Sequence, residues 1–83
     1  MGVGYRLLRA GRLADAIEIF KLNVETFPSS GNSHDSLGEA YLASGNKPQA
    51  LVSYRKVLEL LPGNEHAQER VKRLEQPAAK GPR

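Results

Sequence analysis

The sequence predicts an all-α fold of antiparallel helical hairpins, and three features carry that prediction. The chain matches itself when displaced by 34 residues, its apolar residues return at helical spacing, and Gly and Pro stand where helices should stop. Under the displacement Gly4 falls on Gly38, Leu8 on Leu42, Gly11 on Gly45 and Ala16 on Ala50. Phe20 then meets Tyr54, Val24 meets Leu58 and Pro28 meets Pro62, with no gap.

The elements follow in order. A first helix is expected near residues 2–10, where Tyr5, Leu7 and Leu8 come early with no capping residue before them. The second, near 13–27, holds Ala16, Phe20 and Val24 on one stripe and stops at Pro28. The third, near 33–44, carries Leu37, Ala40 and Tyr41 at helical spacing, with Gly45 as a left-handed C-cap. Asn46 suits the cap of the fourth helix, near 47–61, with Pro48 in its first turn and Gln49 three residues after the cap. Ala50, Leu51, Tyr54, Val57, Leu58 and Leu61 form its apolar stripe, and Pro62-Gly63 ends it. Such short connections fold consecutive helices back on each other as antiparallel neighbours. Gly38 and Ala50 are small because two helices crossing within about 8 Å need small residues at the contact. A mid-helix Gly costs about 1 kcal/mol against Ala, so Gly38 argues for close packing over propensity. A fifth helix, near 65–76, aligns Ala67, Val71 and Leu74 on one stripe and is Gln, Glu, Lys and Arg elsewhere. Pro77 to Arg83 reads as a disordered tail.

Bulk properties bound the rest. Eighty-three residues make one domain at most, with 40% apolar and 25% charged residues and no Cys to form disulfides or thiolate metal sites. No apolar run approaches the roughly 18 residues of a membrane span, and Met1-Gly2-Val3-Gly4 does not open a signal peptide. The compartment stays open, with the cytoplasm favoured if the chain is complete. The net charge of +3 is spread along the chain, with clusters at Arg6, Arg9, Arg12 and at Arg70, Lys72, Arg73. No aromatic-flanked basic stripe accompanies it, so nucleic acid is not expected as a partner.

Catalytic constellations are absent from the pattern. Ser33-His34-Asp35 has the letters of a hydrolase triad, but successive helical residues point about 100° apart. A helix start with a half-buried His is the better reading. His34 and His66 lack zinc-site spacing. Gly2-Val3-Gly4 lacks the preceding strand and following Lys of a phosphate loop. Glu18, Glu25, Glu39, Glu59, Glu65 and Glu69 scatter over helix surfaces, Glu69 spaced to pair with Arg73. No enzyme activity, cofactor or metal site is expected.

Residues 31–64 resemble the tetratricopeptide repeat family. They match its motif as His34-x-x-Leu37-Gly38-x-x-Tyr41, then Ala50-x-x-x-Tyr54, then Pro62, with His34 in place of the family's Trp. Residues 1–30 match from Gly4 onward, through Leu7, Ala16, Phe20 and Pro28. The resemblance implies a right-handed solenoid: a first repeat over 1–30, truncated at its start, a second over 31–64, and a capping helix over 65–76. It also implies a scaffold that binds a protein or peptide in a concave groove lined by the first helix of each repeat. Carried over by alignment, that groove holds Tyr5, Leu8, Arg9, Asn32, Asp35, Ser36, Glu39 and Leu42, and from the capping helix His66, Glu69, Arg70 and Arg73. The family's grip on a terminal carboxylate is poorly matched, since Met1, Tyr5, Ser36 and His66 replace its Lys and Asn residues and only Arg70 fits.

A second reading makes the chain an oligomerisation or accessory domain, similar to short arrays at the C-terminus of some bacterial hydrolases. The truncated first hairpin is expected to leave Val3, Leu7, Ile17 and Phe20 uncovered, a surface for a second copy in a homodimer.

Overall fold

The computed structural model describes residues 2–76. It consists of α1 (Gly2–Arg9), α2 (Leu13–Thr26), α3 (Gly31–Ala43), α4 (Lys47–Leu60) and α5 (Glu65–Glu75), with no strand among the described residues. The expected tail at 77–83 lies outside them.

Helix ends follow local chemistry. α3 starts two residues before the expected position, because the Ser30 hydroxyl caps it by accepting from Ser33 N–H at 3.3 Å. Asn46 caps α4 through Gln49 N–H, as its spacing predicts. Asn64 does the same for α5 through Ala67 N–H. The expected last residues of α2 to α5, Phe27, Ser44, Leu61 and Gln76, are C-caps whose own N–H groups still bond back to helix carbonyls. Gly45, at φ +84°, turns the chain from α3 into α4, and Gly11, at φ +81°, does so between α1 and α2.

The helices pack as a series in which each meets its neighbour in sequence: α1 on α2, α2 on α3, α3 on α4 and α4 on α5. Two core clusters result. One gathers Ala16, Phe20, Leu37 and Ala40, the other Ala50, Tyr54, Val57 and Ala67, and Tyr41 packs against both. The same contact seats each aromatic ring. A Cβ on Gly4 would stand 2.5 Å from the Phe20 ring, and one on Gly38 2.9 Å from the Tyr54 ring. Phe20 is therefore fully buried, closed over by Gly4 and by the Tyr5 ring at 5.1 Å. That corrects the expectation that it lies uncovered; Leu7 and Ile17 are half-buried and Val3 is exposed.

α5 buries Ala67 and lays Val71 and Leu74 on the second cluster. At the place of Gly38, 34 residues on, it carries the exposed Lys72. Among the described residues, no helix is long and apolar enough to cross a membrane.

Candidate functional site

The face shared by α1, α3 and α5 is assembled by contacts between helices that are not sequence neighbours. The Tyr5 hydroxyl on α1 bonds the Ser36 hydroxyl on α3 at 2.6 Å, across 31 residues. His66 Nε2 on α5 stands 3.3 Å from Asp35 Oδ1 on α3, at the same separation in sequence. The two contacts are successive rungs of one ladder, joining the odd-numbered helices edge to edge.

Burial makes ionisation within this ladder harder. Desolvation raises the pKa of Asp35 above the usual carboxylate value, against the lowering influence of His66 and Arg70. His66 lies within ion-pair distance of Oδ1 but without the alignment of a hydrogen bond, and Oδ1 is buried with no hydrogen-bond partner. Tyr54 reaches the same cluster from α4. Its ring meets His66 edge-on at 6.0 Å, and its buried hydroxyl also has no partner. Burial first, and then the Asp35 charge, push that phenol up to about 12. Arg70 Nε is the third buried, unpartnered polar atom of the group. Burial likewise raises Tyr5, opposed by the Ser36 hydrogen bond and reinforced by Glu39 and Asp35.

The expected groove residues take three kinds of position. Tyr5, Asp35, Glu39 and Arg70 are half-buried around the ladder, whereas Ser36 is buried and occupied by Tyr5. Leu8 and Leu42 are drawn against the two core clusters. Arg9, Asn32, His66, Glu69 and Arg73 are exposed, Glu69 and Arg73 paired at 3.2 Å. Tyr54 is the member that sequence reasoning missed. Its apolar stripe explains the ring, and nothing in the pattern shows where the hydroxyl ends.

Ser33, His34 and Asp35 do not converge. The His34 ring is buried, with Nε2 2.9 Å from the Pro28 carbonyl, while Asp35 turns to α5. Among the described residues, no three His, Cys, Asp or Glu side chains gather as a metal-ligand set. On another side, a cleft of about 310 Å³ opens between α2 and α4 over α3, walled by Val24, Leu37, Tyr41 and Val52.

No curated protein matches the chain. Residues 31–64 match the family described as tetratricopeptide repeat. That span holds α3 and α4, with Gly38 against the Tyr54 ring, Gly45 in the left-handed turn and Pro62 after the last turn. Residues 31–64 are thus similar to a tetratricopeptide repeat, set within an all-α array of helical hairpins.

Proposed function

We propose that this chain is a protein–protein interaction module that takes an extended peptide or a helix along the face of α1, α3 and α5. A tetratricopeptide repeat suggests protein binding in general, and the family is generally non-enzymatic. One observation favours this face. It holds a half-buried carboxylate, Asp35, whose desolvation its neighbours do not offset, beside unpartnered polar atoms of Tyr54 and Arg70. Groups kept in this condition cost stability, and such costs concentrate where a protein binds.

The sign of the Asp35 shift gives a clean variant. A carboxylate with a raised folded pKa contributes stability below its unfolded value of about 3.9 and loses it as pH rises through the folded value. At neutral pH, Asp35→Asn is therefore expected to unfold no earlier than the parent, and any loss of binding is not a loss of fold. The test selects ligands from a phage-displayed library of random peptides and titrates the synthesised hits into ¹⁵N-labelled protein. Amide shifts should gather on Tyr5, Asp35, Glu39, His66 and Arg70. Asp35→Asn and Arg70→Ala should each weaken binding about tenfold, as truncated central contacts do. Hits that map to the α2–α4 cleft, or bind both variants unchanged, refute the assignment.

A further inference from the structure

The internal repeat shows what normally covers each face of a hairpin. In the second hairpin, α2 covers α3 at Leu37 and Ala40, which are 8% and 0% exposed. Thirty-four residues earlier the same positions are Val3, 57% exposed, and Arg6, also exposed. On α4, the side turned to the α2–α4 cleft carries Gln49, Val52, Ser53, Lys56 and Glu59. Its counterpart on α2 is Asp15, Glu18, Ile19, Leu22 and Glu25, with Leu22 57% exposed. The outer face of the first hairpin is thus an apolar seam of Val3, Leu7, Ile19 and Leu22, bordered by Arg6 on α1 and by carboxylates on α2.

Charge decides what suits this seam. Another hairpin of the interior kind would bring apolar residues onto Arg6, as Ala16 and Phe20 lie on Ala40. Burying an unpaired guanidinium that way is strongly unfavourable. The covering surface must therefore bring both apolar contacts and acid. Within α1, Arg6 and Arg9 face no acidic residue of their own helix, and neither makes an ion pair among the described residues. α2 has three acids: Asp15 pairs with Arg12 at 2.7 Å, Glu18 lies at 4.0 Å from Lys21, a loose contact that a closer cation can replace, and Glu25 is exposed. A twofold axis brings α1 of one copy onto α2 of the other, basic helix on acidic helix, twice per interface.

We infer that the outer face of the α1–α2 hairpin binds a second copy of this chain, with Val3 and Leu7 against the mate's Ile19 and Leu22 and Arg6 against the mate's Glu18. The interface uses different residues from the ladder face, so it stands whether or not that face binds peptide.

The test is sedimentation equilibrium of the 83-residue chain and of two charge reversals, Arg6→Glu and Glu18→Arg, each checked for helicity by circular dichroism. Both positions are exposed, so both variants should fold. The parent should dimerise. Each variant alone should associate at least about tenfold more weakly, since two symmetric attractions become two repulsions. An equimolar mixture of the two should recover the dimer, because one contact is then the original pair and the other has its two charges swapped, so both attract. Glu69→Ala, on α5, should leave association unchanged. A parent that stays monomeric at several hundred micromolar overturns the inference, as does a dimer that neither reversal weakens or that mixing does not restore.

Discussion

At the scale of single residues, Tyr54 carries two loads that compete. Its ring completes the second core cluster and receives the backbone of Gly38, while its hydroxyl lies buried near the charges of Asp35 and Arg70 without a partner. An unsatisfied buried hydroxyl costs about 1–3 kcal/mol of desolvation, and the ring contributes through its area alone. Tyr54→Phe keeps the ring and removes the cost. The variant should be more stable than the parent by roughly 1 kcal/mol in urea titration, with an unchanged m value. Lower stability would mean that the hydroxyl makes a stabilising bond in solution. If peptide binding weakens while stability rises, Tyr54 belongs with Asp35 among groups kept for recognition at the expense of the fold. The Ser36 hydroxyl is the contrary case, since its bond to Tyr5 offsets its burial.

At the scale of the helix, the decisive contact is a glycine on an aromatic ring, made once by Gly4 with Phe20 and once by Gly38 with Tyr54. A side chain at Gly38 has to displace the Tyr54 ring, which is held by Val57, Ala67 and the His66 edge contact. Gly38→Leu should therefore cost roughly 3 kcal/mol or more, or prevent folding, because overpacking strains an already marginal domain. Gly45→Ala meets no atom within 4 Å but must adopt φ +84°, and should cost only about 1 kcal/mol. Equal melting temperatures for the two variants would show that the α3–α4 crossing is not set by this contact. These glycines, Asn46 and Pro62 were legible in the sequence because each answers a local backbone demand with a distinctive residue type. The burial of Phe20 is not legible there, for a complementary reason. Whether a ring is covered depends on how closely Gly4 and Tyr5 approach it, which spacing does not encode. The Ser30 cap does not stand out in a Pro28-Ser29-Ser30-Gly31 stretch where several residues suit a turn. The rungs Tyr5–Ser36 and Asp35–His66 follow the offset between alternate helices, a tertiary quantity.

At the scale of the molecule, stability is nearly one-dimensional, since each helix packs chiefly on its sequence neighbours. The first cluster draws on α2 and α3 and the second on α4 and α5. Among the described residues, Tyr41, half-buried on α3, is the one aromatic side chain packed against both. Coupling between the two clusters should run largely through it. Truncating a core aromatic costs about 3–5 kcal/mol where burial is complete, and less at a half-buried site. Tyr41→Ala, however, removes contacts from two clusters at once. The expected result is loss of coupling as well as loss of stability. Urea unfolding of the parent, followed by helicity and by tyrosine fluorescence, should give coincident transitions, as a two-state domain does. In Tyr41→Ala the transition should broaden, with a lower apparent m value and separated probes. Hydrogen exchange should then show α1 and α2 opening below the free energy at which α4 and α5 open. This order is expected because Val3 and Arg6 on α1 are exposed, while α5 lays Ala67, Val71 and Leu74 on the second cluster. A Tyr41→Ala variant with coincident transitions and an unchanged m value would show that the α3 backbone itself, and not this side chain, carries the coupling.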